Sequence, residues 1–159
     1  MDTFTWIHVA VGTVGIATGC FVVWGLRYGL RLDGWTAVFL LTTLAASLTG
    51  FGFPFRQFLP AHAVGIVSLV VLPLAIAARY FLRLSGIWRT VYVVCAVAAL
   101  YLNVVVLVAQ AFMKVPALNA LAPTITEWPF VAAQVVLFGL FSWIGIAALR
   151  AGATPARLE

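Results

Sequence analysis

Five long apolar segments alternate with short polar links along this chain of 159 residues. The segments cover approximately residues 5–26, 36–53, 60–82, 88–113 and 130–149. A helix rises ~1.5 Å per residue, so ~20 residues cross the ~30 Å hydrocarbon core of a bilayer. Hydrophobic residues make up 65% of the chain and charged residues 8%, whereas a soluble domain has about 25% charged residues. The sequence therefore predicts an all-α polytopic integral membrane protein, one transmembrane domain over residues 1–159 that forms a bundle of five helices.

The basic residues in the links predict the orientation of this bundle. If the five segments alternate across a membrane, two unequal groups of basic residues result. One side has Arg27, Arg31, Arg79, Arg83, Arg89, Arg150 and Arg157, and the other has Arg56 and Lys114. Cytoplasmic loops carry an excess of Lys and Arg, so we expect the N-terminus outside and the C-terminus in the cytoplasm. The net charge of +5 is spread over these links, and without a basic stripe nucleic acid is not an expected partner.

The same topology gathers polar side chains from distant parts of the sequence on the outer side. They are His8, Arg56, His62, Gln110, Lys114, Glu127 and Gln134, with Asn103 deeper in the fourth segment. Polar groups at membrane depth face protein or a cavity and pair with one another. We therefore expect an outward-facing polar pocket. His8 and His62 would be its principal contacts, the amides its hydrogen-bonding groups, and Lys114 and Glu127 its mouth.

Three functions fit such a pocket. Our preferred hypothesis is binding of an apolar or amphipathic small molecule (a quinone, a lipid or a porphyrin), because amides beside aromatic rings suit such ligands. The first alternative is a membrane electron-transfer protein in which His8 and His62 are the axial ligands of haem b. The second is a non-catalytic accessory or assembly subunit of a membrane complex, in which the polar groups only satisfy one another.

Enzymatic chemistry is less strongly indicated than binding. The sequence contains no GxSxG, HExxH or Walker pattern, which are the signatures of hydrolases and nucleotide-binding enzymes. Cys20 and Cys95 lie inside apolar segments and form no CxxC pair. We expect both cysteines to be small buried hydrophobic residues.

A glycine seam follows His8 along the first segment. Gly12, Gly15 and Gly19 lie four, seven and eleven residues after His8, which places all of them on one face of a helix. Small residues let another helix approach closely. The seam fits packing within one protomer as well as between the protomers of a homo-oligomer, and the sequence leaves both open.

Several stretches resemble a family of small multi-span bacterial inner-membrane proteins to which no activity is attached. They are LTTLAASLTGFGFPF, LPAHAVGIVSLVVLPLAIAARY, WRTVYVVCAVAALYLNVVVLVAQAFMKVPALNALAPT and the E-x-P-F that follows, within residues 41–134. In that family the outer link resembles APTQSEPPF, and here Ile125, Thr126 and Trp128 replace Gln, Ser and Pro. The resemblance implies a multi-pass protein of the bacterial inner (cytoplasmic) membrane, with membrane lipids as partners. A looser likeness to four-helix haem b membrane proteins rests on the paired histidines.

Overall fold

The computed structural model describes residues 3–53 and 60–151, and this part of the chain is helical with no strand. Its helices are α1 (Thr3–Arg27), α2 (Asp33–Gly50), α3 (Pro60–Ile76), α4 (Ile87–Lys114), α5 (Pro116–Leu121) and α6 (Trp128–Ala151). A π-helical segment, Ala77–Phe81, continues α3. The prediction of an all-α chain is confirmed for the residues described.

Four stretches of helix are long and apolar enough to cross a membrane. They are Thr3–Arg27, His62–Phe81, Ile87–Lys114 and Trp128–Ala151. These helices support the prediction that the chain is a membrane protein. The helix α2, with 18 residues, is not among them. Its composition explains the difference, because it begins at Asp33 and carries several hydroxyl side chains between its apolar ones.

The helices α1 to α4 form a ring in which each one packs against the next, and α4 closes the ring against α1. The helix α6 packs on the outside of this ring, against α1 and α4. The side chains of Phe39, Leu72 and Tyr92, from α2, α3 and α4, are fully buried at the centre. By contrast, the buried residues of α6 are Phe141 and Ala148 alone. The core is therefore a four-helix bundle, and α6 is an added fifth long helix.

Side-chain contacts show that successive helices in the ring run antiparallel. The ring of Phe21, late in α1, lies 5.0 Å from that of Trp35, early in α2. At the other end, His8 Nδ1 lies 2.9 Å from Thr49 Oγ1 near the end of α2. The start of α2 also meets the end of the α3 segment, where Arg79 donates to Asp33. The links between these helices therefore lie alternately at the two ends of the bundle.

Polar groups of α2 hold its neighbours near the end of the bundle that carries Arg27. Arg79, whose side chain is 6% exposed, pairs with the carboxylate of Asp33, which is 80% exposed. The Arg79 guanidinium also lies 5.0 Å from the centre of the Tyr92 ring. The Tyr92 hydroxyl in turn donates to Thr36 Oγ1 at 3.5 Å. A buried charge is stable only when it is paired and hydrogen-bonded, and α2 supplies its partner.

The glycine seam packs inside the protomer over part of its length. Gly15 and Gly19 are buried. A Cβ atom on Gly19 would lie 2.7 Å from the Phe39 ring and 2.8 Å from Leu100, whereas a Cβ on Gly12 would have no atom within 4 Å. Gly19 is therefore required where α1 approaches α2 and α4 closely, and Gly12 faces open space.

We expect Gly19→Ala to destabilise the protein and Gly12→Ala to leave its stability unchanged or slightly higher. Overpacking a filled contact costs about 1–3 kcal/mol, while alanine at an open helical position removes the entropic disadvantage of glycine, worth about 0.5–1 kcal/mol. Thermal unfolding in mild detergent, followed by circular dichroism, measures both. Equal melting temperatures for the two variants would contradict the close approach at Gly19.

Candidate functional site

The two histidines lie at the same end of the bundle, on either side of the residues that close α2. The His8 ring stands edge-to-face against Phe53 with 5.1 Å between centroids. The His62 ring lies 6.0 Å from that of Phe51. Lys114, the last residue of α4, lies at the same end of the bundle as His8. We call this the histidine end and the opposite one, which carries Arg27, the arginine end.

A hydrogen bond to α2 holds the His8 ring in place. His8 Nδ1 lies 2.9 Å from Thr49 Oγ1, and the same Thr49 hydroxyl lies 2.7 Å from the Ala45 carbonyl. The Nδ1 nitrogen is therefore engaged by α2, and metal-ligating histidines commonly have their second ring nitrogen held by such a hydrogen bond. Haem ligation by His8 and His62 stays a prediction, and the residues described contain no group of three or more His, Cys, Asp or Glu side chains placed to hold a metal ion.

The other predicted contacts have separate environments. The Asn103 amide nitrogen donates to Thr43 Oγ1 at 3.1 Å, so this side chain is directed to α2. Glu127 accepts a 3.4 Å hydrogen bond from Thr124 in the link before α6. Gln110 is half-buried and Lys114 is exposed, while Arg56 lies outside the described residues. Asn103 and Glu127 are thus partnered by threonine hydroxyls.

Gln134 differs from these residues because both polar atoms of its amide are buried and have no hydrogen-bond partner. Ring contacts fix the register of α4 and α6: Phe112 lies 5.5 Å from Phe130, and Tyr101 lies 5.6 Å from Phe141. Gln134 follows Phe130 by one turn and precedes Phe141 by two, so it lies on the face of α6 that meets α4. A buried amide without a partner costs about 1–3 kcal/mol.

The structure contains a groove that the sequence analysis did not predict, which we call the α6 groove. It has a volume of about 470 Å³ and lies between α1, α4 and α6. It is lined by Ile16, Cys20, Val23, Trp24, Arg27, Leu100, Val104, Leu107, Leu137, Leu140, Phe141, Trp143 and Ile144. Twelve of these residues are apolar or sulfur-containing, and one is charged. The groove forms because α6 rests on α1 and α4 from outside the ring.

Arg27 marks one end of the α6 groove. Its guanidinium lies 4.5 Å from the centre of the Trp143 ring, so a cation–π contact joins the end of α1 to α6. Cys20 lies further along the groove and is exposed. The prediction that both cysteines are buried is therefore right for Cys95 and wrong for Cys20. The reason is that α6 leaves this face of α1 uncovered, which hydropathy alone does not reveal.

None of the seven side chains predicted as ligand contacts lines the α6 groove. Its lining consists of residue types found throughout every apolar segment, so no pattern of polar residues marked it in the sequence. Comparisons with protein-family models, with curated proteins and with solved structures found no match for this chain. The function of the groove therefore has to be inferred from its own geometry.

We expect Gln134→Leu to raise the stability of the purified protein. The change removes a buried donor and acceptor that lack partners and keeps a side chain of similar size, so a gain of about 1–3 kcal/mol is expected. Gln110→Leu is the matched control, since Gln110 is half-buried on the facing helix and its replacement should change the melting temperature less. A lower melting temperature for Gln134→Leu would contradict this and would show that the amide is partnered in the purified protein.

Proposed function

We propose that this protein is a membrane-embedded binding protein for an amphipathic small molecule, whose apolar tail lies in the α6 groove. The groove itself carries the proposal. Its volume of about 470 Å³ falls in the ~300–1,000 Å³ range of small-molecule sites. An apolar lining with a charged group at one end suits a molecule that is itself apolar over most of its length and polar at one end.

The length of the groove favours a chain-like ligand such as a lipid or an isoprenoid quinone. Its lining on α1 runs from Ile16 to Arg27, which is about 16 Å at ~1.5 Å per residue. This is roughly half of the ~30 Å hydrocarbon core. A tail that extends from one membrane surface to the midplane would therefore fill it.

The predicted outer contacts lie beyond the other end of this groove. On α1, the face that carries Ile16 continues one turn to Gly12, which has open space beside it, and one further turn to His8. On α4, the face that carries Leu107 continues to Gln110 and Lys114. This continuity supports a role for the histidine end in contacting the same ligand.

We further propose five spans with the N-terminus outside the bacterial inner membrane. The 18 residues of α2 extend about 27 Å, close to the ~30 Å core. In the antiparallel ring the two ends of α2 lie beside Phe21 and His8 of the longer helix α1. Arginines cluster at the arginine end, and Lys114 lies at the histidine end, as the positive-inside rule requires of a cytoplasmic and an external face.

Reporter fusions test the five-span topology. A fluorescent protein that folds only in the cytoplasm should be active when fused after residue 159, and alkaline phosphatase, active only in the periplasm, should be inactive there. The same two reporters fused before residue 1 should give the opposite result. An epitope tag at the N-terminus should be accessible from the periplasm. If both termini report from the same side, an even number of spans is present and α2 does not cross.

Native mass spectrometry of the detergent-purified protein tests ligand binding by the α6 groove. We expect bound lipid or quinone on the wild-type protein and its loss in Leu137→Trp, because indole would fill the groove. Val135→Trp is the matched control, since Val135 is 64% exposed on α6 and does not line the groove. Equal retention of ligand by both variants would contradict the proposal.

A further inference from the structure

The arginine end of the α6 groove offers a cation that is held in place and not neutralised. The Arg27 guanidinium lies over the Trp143 ring, with its central carbon 4.5 Å from the ring centre. A guanidinium has five N–H donors, and a cation–π contact holds its charge without pairing it with an anion. Among the residues described, the one ion pair joins Arg79 to Asp33, and Arg27 has no carboxylate partner.

The charge around this end favours an anion. The basic residues there are Arg27, Arg31, Arg79, Arg83, Arg89 and Arg150, and the acidic residue described at this end is Asp33, which is already paired with Arg79. Basic sites between helices at the cytoplasmic face bind anionic lipid headgroups. Arginine in particular matches a phosphate by paired hydrogen bonds.

We propose that the occupant of the α6 groove is an acidic phospholipid whose phosphate binds Arg27 and whose acyl chain lies along the groove toward the midplane. This rests on the proposed function and names its ligand class. Three observations agree with it. The Arg27 guanidinium at the groove end has no carboxylate partner among the described residues, and the groove is about half as long as the bilayer core is thick. Trp24 and Trp143 lie beside the same groove end, and indole rings favour the membrane interface.

The charge argues against a zwitterionic lipid as the preferred occupant. The ammonium group of phosphatidylcholine would lie close to the Arg27 guanidinium, and the repulsion between these two cations would offset part of the attraction of the lipid phosphate for Arg27. A glycerol headgroup adds no positive charge. The site should therefore distinguish lipids by headgroup while accepting the same acyl chains.

Competition between two lipids with identical acyl chains tests this inference. Full-length protein in mild detergent is titrated with equimolar phosphatidylglycerol and phosphatidylcholine, and bound lipid is counted by native mass spectrometry. One basic residue at an anionic surface contributes about 1 kcal/mol, so we expect about a fivefold preference for phosphatidylglycerol. In Arg27→Gln the preference should disappear while both lipids still bind. In Arg31→Gln, which changes an exposed arginine of the next link, it should persist.

The outcomes separate this inference from the proposed function. Equal binding of both lipids by the wild type, or an equal loss of preference in Arg27→Gln and Arg31→Gln, would overturn the role of Arg27 while groove binding stands. Retention of both lipids by Leu137→Trp would overturn groove binding itself. Arg27→Lys is a second variant that keeps the positive charge and so guards against a folding defect. A well-folded Arg27→Lys protein whose preference for phosphatidylglycerol lies between that of the wild type and that of Arg27→Gln supports the role of Arg27.

Discussion

Hydrogen bonds tie α2 to the helices on either side of it. Asn103 reaches Thr43 and His8 reaches Thr49, so that α4 and α1 each depend on a hydroxyl of α2. A polar group that loses its partner on burial costs about 1–3 kcal/mol. These contacts therefore fix how the helices of the ring are rotated and how far they are shifted along their axes, which apolar packing against lipid-like side chains specifies only weakly.

This dependence explains why α2 is the least apolar of the long helices. The hydroxyls of Thr42 and Thr49 also bond to carbonyls of their own helix, at 2.7 Å each, so they cost little when no neighbour is near. A helix that served only as a membrane anchor would gain from replacing them with leucine. The helix α2 instead has these threonines and has neighbouring helices on both sides. One of the threonines, Thr49, contacts His8 of α1.

The class of fold followed from the sequence because length and hydropathy are properties of each segment alone. The bounds of the five long helices agree with the apolar segments to within about three residues when the π-helical Ala77–Phe81 is counted with α3. The position of His8, His62 and Lys114 at one end follows from the alternation of the helices. The α6 groove could not be predicted in this way. It depends on which helices are neighbours and how closely they approach, and Ile16, Leu107 and Leu137 are indistinguishable in sequence from leucines and isoleucines that face lipid.

The contrast between the ring and α6 is the strongest reason to assign function to their boundary. Inside the ring the buried Arg79 pairs with Asp33, the half-buried Asn103 donates to Thr43, and Gly19 allows close packing. Where α6 meets the ring, the Gln134 amide is buried without a partner and a groove remains that larger side chains would fill. Proteins depart from efficient packing and polar pairing chiefly at functional sites. The boundary between α6 and the ring departs from both close packing and polar pairing. We therefore expect a ligand to bind at this boundary.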